Sequence, residues 1–342
     1  MLSTALVDSI HQVPAADWDV LAAPVSLYLS HRWLAGEEQD PTATPAYALV
    51  RDGRGALLAA APLYLVHDEP NDNYRPERVL WAPVRPRVIA GARRGYHNGP
   101  LLSADLTPDL RDACLAALTD AARSFAAAHG TTHWWPYLTH DAAARLSPHH
   151  DRPPLHLADD ATIPLPGGGF DDYLASLPGK RRVSIRRERR TLAESPFAVR
   201  ELSLDDCCAE AGALLAGHQQ GHGRDRDGVD AMTALLKRQA QAMGDTARVV
   251  AAYDGDRMAG FCLSYHYGAT TWVRAVAVDS SRPAPSLYFN LAYYLPIESA
   301  YAHGTSALHV GMNTIEAKRL RGAVVSGLYA VTDASYGSGK GR

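Results

Sequence analysis

One order of predicted elements occurs twice along this chain, and the repeat limits the folds that the chain can adopt. In the first half, apolar runs flank Asp52-Gly53 in "AYALVRDGRGALLAAAPLYLV", which predicts a β-hairpin whose turn needs positive φ. In the second half, Asp254-Gly255 has the same place in "RVVAAYDGDRMAGFCLSYHY". Strands and a helix follow each hairpin. We therefore predict two copies of a related α/β fold.

Apolar periodicity locates the helices. Spacings of three and four residues over 109–130, ending at Gly130, predict one long helix. In the second half, helices are expected over 204–217 and 229–243, and two helical pieces are expected on either side of Pro178-Gly179. The strands expected between them are "TTHWWPYL", "FAVREL", "TTWVRAVAV" and "ALHVGM".

Length and composition indicate two globular domains. The chain has 342 residues, 46% hydrophobic and 21% charged, and domains commonly have about 150 residues. A polar stretch rich in Pro and His, residues 147–160, is the expected connection. We predict domains over 1–158 and 159–325, followed by a segment over 326–342 that returns to the first domain or ends flexibly.

Cysteine usage predicts a reduced, cytoplasmic protein. The four cysteines lack metal-ligand spacing, and two of them, Cys207 and Cys208, are adjacent, which makes a poor disulfide framework. Residues 1–20 do not resemble a signal peptide, and no run of 18 apolar residues occurs. The expectation is a protein without membrane insertion, bound metal or cofactor.

The stretch "GKRRVSIRRERR", residues 179–190, has seven basic side chains in a chain whose net charge is −3. Solvated helices usually alternate the signs of their charges, but Glu188 is the single acid here. Arginine forks bind phosphates, so the stretch predicts a site for a polyanion at one place on the protein rather than DNA binding. The predicted anion-binding residues are Lys180, Arg181, Arg182, Arg186 and Arg187.

Four stretches, in order along the chain, resemble one family. They are "SLYLSHRWLAGEEQ" with "LLAAAPLYLV", "FDDYLASLPGKRRVSIRRERRTL", "LYFNLAYYLPIESAYAHG" and "ALHVGMNTIEAKRLRG". These are similar to the peptidoglycan-biosynthesis and recognition group of N-acyltransferases, relatives of the Fem aminoacyltransferases. The resemblance implies two Gcn5-related acetyltransferase (GNAT) domains, each a mixed, mostly antiparallel sheet flanked by helices, with the active site in a cleft between them. Met312-Asn313-Thr314 departs from the family pattern, which leaves the substrate open.

The prediction of the acyl donor depends on the absence of the loop that binds the pyrophosphate of CoA. Acetyltransferases of this fold hold the pyrophosphate of CoA on a "[QR]-x-x-G-x-[GA]" loop, expected here after "TTWVRAVAV". The chain instead reads "DSSRPAPSLYFN", which has no glycine and two prolines without an N–H. The resemblance implies aminoacyl-tRNA as the donor, whose acceptor-end phosphates the basic stretch would hold, and a small-molecule or cell-wall precursor as the acceptor. An acyl-CoA-dependent N-acyltransferase and a non-catalytic recognition protein that retains the phosphate site remain alternatives.

Lys318 is the first catalytic candidate. The resemblance implies that it follows the last core strand and faces the cleft, where its ammonium could hold the terminal ribose-phosphate or a developing oxyanion. Arg321 lies three residues on and is expected to share its face. Asn313 and Tyr288, in the two resembling segments near it, are predicted to contact the substrate.

Candidate proton acceptors come from "GHQQGHGRDRDG". Histidine as a residue type titrates near neutrality, so His218 and His222 are the candidates. The two could also bind a metal if helical, but Gly221 and Gly223 favour a loop. In an apolar strand, Arg274 requires a charged partner. That partner is predicted to be a substrate carboxylate or Glu298.

Overall fold

The computed structural model describes residues 2–80, 86–221, 228–281 and 286–334, without the side chains of residues 220 and 221. The chain divides into two compact units. The first unit comprises Met1–Asp159 and Ser326–Arg342, and the second comprises Asp160–Val325.

Thirteen strands occur in the described ranges. They are β1 (Ser3–Val7), β2 (Ala43–Arg51), β3 (Leu57–Val66), β4 (Val88–Ala90), β5 (Leu101–Leu102), β6 (His133–Thr139), β7 (Leu155–Pro164), β8 (Ala198–Ser203), β9 (Ala247–Asp254), β10 (Arg257–Tyr267), β11 (Thr270–Val278), β12 (Ala307–Met312) and β13 (Val324–Thr332). The chain passes from the first unit to the second within β7 and returns within β13.

The same ranges contain twelve α-helical segments. They are α1 (Ala15–Ala22), α2 (His31–Glu37), α3 (Pro76–Val79), α4 (Pro108–Ala128), α5 (His140–Leu146), α6 (Phe170–Ala175), α7 (Gly179–Ala193), α8 (Leu204–Gly221), α9 (Val229–Met243), α10 (Leu287–Phe289), α11 (Leu295–Ala302) and α12 (Ile315–Arg319). A π-helical turn, Asn290–Tyr294, joins α10 to α11. None of the helices described is long and apolar enough to cross a bilayer.

The sheet of the first unit has the order β1-β2-β3-β4-β6-β13, with β5 beside β3. Its neighbours are antiparallel except β4 and β6, which are parallel. Parallel neighbours need a crossover connection, and α4 lies in the chain between them. Leu115 and Leu118 of α4 pack with Trp135 of β6 and Val331 of β13 in one buried core.

The second unit repeats this arrangement. Its sheet has the order β8-β9-β10-β11-β12-β7, and only β11 and β12 are parallel. The connection between those two strands contains α10, the π-helical turn and α11. Each unit is therefore a mixed, mostly antiparallel sheet with a helical crossover at its one parallel pair, and the predicted fold class is confirmed.

The two hairpin turns differ in detail. Gly255 has φ of +60°, as its Asp-Gly pair predicted, whereas in the first hairpin the positive φ is at Gly55, +86°, and not at Gly53. The Asp52 carboxylate accepts hydrogen bonds from the N–H groups of Arg54 and Ala56 at 2.8 and 2.9 Å. The Asp52 side chain thus stabilises a loop longer than a two-residue turn. The residue with positive φ is therefore Gly55 rather than Gly53.

Two elements, α8 and β7, extend into stretches that were predicted as a loop or a connection. α8 continues to Gly221 rather than ending at 217, since an internal glycine such as Gly217 costs only about 1 kcal/mol in a helix. β7 begins at Leu155, inside the stretch predicted as a connection, because Leu155 and Leu157 start an apolar alternation typical of a strand.

Candidate functional site

The outer face of α7 is basic. Four of its basic side chains are exposed and form what we call the basic stripe: Lys180, Arg186, Arg187 and Arg190. None of the four makes an ion pair or a side-chain hydrogen bond to any residue that the structure describes. The helix is anchored by its other face, where Ile185 and Leu192 are buried. Three residues of the predicted anion site thus face solvent.

Two further basic residues of α7, Arg182 and Arg189, bind the protein itself. Arg182 donates from Nη1 to the carbonyl oxygen of Leu177, just after α6, at 3.0 Å. Arg189 pairs with Glu298 and lies over the ring of Phe170, 4.1 Å from its centroid. Arg181 is half-buried. Arg182 and Arg189 therefore fix the helix in place rather than extend the stripe.

Glu188 connects α7 to the segment after β12. Its carboxylate accepts hydrogen bonds from Arg321 Nη2, at 3.2 Å, and from the hydroxyl of Tyr294. Arg321 is only 5% exposed and also donates to the Tyr294 hydroxyl oxygen at 3.1 Å and to the Ala317 carbonyl at 2.8 Å. Its guanidinium lies 3.9 Å from the centroid of the Phe289 ring. Arg321, predicted to contact substrate, is held by this buried network.

The π-helical turn supplies the aromatic part of the network. The side-chain amide of Asn290 donates to the carbonyl oxygens of Ser286, at 2.8 Å, and Glu188, at 3.1 Å. Tyr293 and Tyr294 are both buried, and burial raises the pKa of each, that of Tyr293 to about 12. Single π-helical turns inside helices occur frequently at functional sites. In this π-helical turn two consecutive tyrosines, Tyr293 and Tyr294, are both buried in the second unit.

Lys318 is buried, with 4% of its surface exposed. Its ammonium donates to the carbonyl oxygens of Gly311, at 2.6 Å, and Met312, at 2.5 Å. Burial lowers its pKa to about 8, although the charge of Asp160 acts in the opposite direction. An ammonium has three N–H donors, so the two carbonyl bonds leave one for a further acceptor.

The residues that Lys318 binds form a strained turn. Gly311, Asn313 and Thr314 have φ of +71°, +64° and +44°, and left-handed φ is unfavourable for a β-branched residue. We call Gly311–Thr314 the lysine-bound turn. Asn313, a predicted substrate contact, is exposed on it. Strain of this kind persists only where surrounding contacts impose it, and Lys318 provides two of them.

An opening between two strands precedes this turn. In the part of the chain that the structure describes, β11 and β12 pair as parallel strands from Thr270–Ala307 to Trp272–His309. Beyond that pair both strands continue, but they no longer pair with each other. Arg274 is the extra residue of a β-bulge just beyond, because the register against β10 passes directly from Val273 to Ala275. Backbone groups facing such a gap can pair with a ligand.

The other predicted residues have surroundings of their own. Arg274 is half-buried, while Glu298, its predicted partner, is paired with Arg189. Tyr288 is 37% exposed, and burial of the remainder raises its pKa. His222 lies outside the described residues.

His218 lines a separate cavity of about 560 Å³ in the second unit. Charged side chains from α8, the β9–β10 turn and the end of β11 surround it: Glu210, Asp256, Arg257 and Asp279. Arg257 donates to Asp279 at 2.8 Å. The sequence therefore located Lys318, Arg321 and Asn313 in one region and His218 in another. It gave no signal for the cavity.

Sequence reasoning also missed the inner members of the network. Glu188 was visible as the single acid among seven basic residues, but nothing in its spacing identified Arg321 or Tyr294 as its partners. Asn290 looked like an ordinary polar residue in an aromatic helix. The signal for these contacts lies in three-dimensional packing and not in local pattern.

Comparison with known proteins finds one similar family and several similar folds. The FemAB-like family, described as peptidoglycan biosynthesis/recognition, matches residues 167–333. The crystal structure of FemX has a TM-score of 0.67 to this chain, at 11% identity, and the match covers 97% of each chain. Residues 167–333 thus resemble the Fem-like family, and the chain as a whole has a tandem GNAT fold. No curated protein sequence matches it.

Other solved structures share the fold of this chain. A tandem GNAT protein from the clavulanic acid biosynthesis pathway matches with a TM-score of 0.55 and 12% identity, covering 98% of this chain and 100% of that one. The C-terminal domain of a proposed lysylphosphatidylglycerol synthetase from Agrobacterium fabrum matches with a TM-score of 0.59 and 10% identity, covering 95% and 91%. At such identities the likeness is one of fold alone.

Proposed function

We propose that this protein transfers an aminoacyl group from aminoacyl-tRNA to an amine or hydroxyl acceptor. The product is an amide or an ester, in biosynthesis of the natural-product or cell-wall type. The observation that carries the proposal is the basic stripe, four cations on a helix whose opposite face is fixed by Glu188 and Arg321. Phosphates of an RNA strand are the ligands that such a surface suits.

The length of the stripe favours a strand over a single phosphate. From Lys180 to Arg190 a helix rises about 15 Å at its usual 1.5 Å per residue. Several phosphates of the tRNA acceptor end fit along that distance. Like charges at neighbouring helical positions repel one another, so a bound polyanion also removes an unfavourable interaction within α7.

Lys318 and the lysine-bound turn are proposed as the place of chemistry. An aminoacyl ester is already activated, so positioning of the amine and stabilisation of the oxyanion supply most of the acceleration. The third N–H of Lys318 donates to that oxyanion or to the terminal ribose-phosphate. Its two carbonyl bonds hold the ammonium in one orientation, which is what preorganised stabilisation requires.

An acyl-CoA donor is the second candidate, and one observation favours it. The gap between β11 and β12 beyond Trp272 and His309 exposes strand edges with which an amide-bearing pantetheine chain could pair. The clavulanic acid pathway protein of the same fold is described in a state without AcCoA. The sequence after β11 argues against acyl-CoA as the donor. It reads "DSSRPAPS" and lacks the glycines of a pyrophosphate-binding loop.

Label transfer tests the proposal. A tRNA pool charged with isotopically heavy amino acids is incubated with the protein and a low-molecular-weight extract of its source cells, and products are detected by mass. We expect a species heavier than an extract component by one labelled aminoacyl residue, formed by the parent protein and not by Lys318→Met. Label found only as free amino acid, with product formed from acetyl-CoA instead, would contradict the proposal. Binding of charged tRNA without any product would indicate the non-catalytic recognition protein.

A further inference from the structure

Two histidines and an aspartate meet in the first unit, away from the site described above. His133 is the first residue of β6, His150 directly follows the 3-10 turn Ser147–His149, and Asp333 directly follows β13. One ligand atom from each lies within 4.8 Å of the others. His133 is 2% exposed and His150 is 9% exposed. Three segments that are distant in sequence thus meet in one small, largely buried volume.

The two imidazoles face each other through their Nε2 atoms, which are 3.2 Å apart. At most one of these nitrogens can carry a hydrogen at that separation. In a tetrahedral zinc site, with Zn–N distances of about 2.0–2.1 Å, neighbouring nitrogen ligands lie roughly 3.3 Å apart. The observed separation matches the edge of such a tetrahedron.

Outer contacts orient these groups as metal ligands are usually oriented. Nδ1 of His150 lies 3.0 Å from the Leu146 carbonyl oxygen, so it carries the hydrogen and leaves Nε2 with its lone pair directed at His133. Asp333 accepts from Arg123 Nε at 2.9 Å and from the Asp151 N–H at 3.1 Å. Each of its oxygens retains a lone pair for a further bond.

We propose that His133, His150 and Asp333 bind one Zn²⁺ ion. Imidazole and carboxylate are the nitrogen and oxygen ligands that zinc takes, and a water would complete a tetrahedron. The ion joins the end of β13 to the start of β6 and to the segment after α5. The site is structural: it fixes the returning C-terminal strand in the first unit, and it is independent of the proposed acyl transfer.

Cobalt titration tests the site on the whole chain. Tag-free protein is treated with EDTA, dialysed and titrated with Co²⁺, whose tetrahedral complexes absorb visible light, and Zn²⁺ is then added. We expect one Co²⁺ per chain, displaced by one Zn²⁺, and a higher Tm with Zn²⁺ bound. Asp333→Asn should bind both ions at least about 10-fold more weakly.

His149→Gln is the matched control, because His149 is adjacent in sequence and contacts Asp112 instead. It should bind Co²⁺ as the parent protein does. Absence of Co²⁺ and Zn²⁺ binding by the parent protein would overturn the proposal, and that measurement does not depend on any variant folding. Equal affinity in Asp333→Asn would also overturn it and would leave a neutral, hydrogen-bonded histidine pair.

Discussion

The carboxylate of Glu188 lies 3.2 Å from Nη2 of Arg321, a residue 133 positions later in the chain. The contact joins the basic helix α7 to the segment that follows the lysine-bound turn, both in the second unit. It explains why one acid persists among seven basic residues. That acid is directed inward and neutralises a buried arginine, while the basic stripe on the other face remains available for phosphates.

Glu188→Gln should destabilise the protein by about 2–4 kcal/mol, because it leaves the buried guanidinium of Arg321 without its counter-charge. Urea unfolding followed by tryptophan fluorescence measures the change. Glu194→Gln is the control, since Glu194 is exposed at the end of the same helix and should change stability by less than about 0.5 kcal/mol. Equal effects of the two substitutions would show that the pair does not brace α7.

The basic stripe predicts a defined salt dependence. Replacing Arg186 and Arg187 by alanine should weaken RNA binding and reduce the slope of log K against log salt by about 1.4–1.8, since each phosphate contact contributes about 0.7–0.9. Arg54→Ala with Arg78→Ala removes the same charge from exposed positions in the first unit. This control should leave the slope unchanged. A slope that falls equally in both double variants would point to net charge alone.

The lowered pKa of Lys318 predicts how kcat/KM depends on pH. Its pKa is lowered to about 8 by burial, and the proposed role needs the ammonium, so kcat/KM should decrease as the pH rises through about 8. Lys318→Met should lose about 10²–10³ in kcat, the usual loss for one oxyanion donor. In Lys318→Arg, residual activity should persist to higher pH because a guanidinium stays charged. A rate that increases through pH 8 would instead identify Lys318 as a base.

The lowered pKa of Asp40 predicts that the stability of the first unit decreases in acid. Burial alone would raise its pKa, but hydrogen bonds from Thr42 and the charges of Arg94 and Arg93 lower it to about 2. Because the folded pKa lies below the unfolded value, the contribution is present above pH 4 and is lost as the pH falls toward 2. Asp40→Asn should therefore cost about 1–2 kcal/mol at pH 7 and much less at pH 2.5, measured by urea unfolding. A difference that does not change with pH would exclude this explanation.

Local pattern predicted most elements. The expected helix over 229–243 and the strands "TTWVRAVAV" and "ALHVGM" coincide with α9, β11 and β12. These segments have strong periodicity and clear glycine or polar boundaries, so tertiary contacts did not change them. The repeat of the two hairpins also held, and with it the fold class.

Contacts between distant segments were not predictable. The sequence places Lys318 after a strand, but its burial against Gly311 and Met312 depends on a turn with three left-handed residues. Thr314 is among them, and no propensity rule places a β-branched residue there. Likewise, Asn290 gave no sign of the π-helical turn, in which its amide donates to the carbonyl oxygen of Glu188 in another helix.

The most direct test of the account is filter binding of the purified protein to a charged tRNA pool at two salt concentrations, with CoA as competitor. The parent protein is compared with a variant in which Lys180, Arg186, Arg187 and Arg190 are alanine. We predict affinity that decreases with salt, is lost in the variant and is unaffected by CoA. Failure to bind charged tRNA, or its displacement by CoA, would contradict a tRNA donor and would favour a thioester.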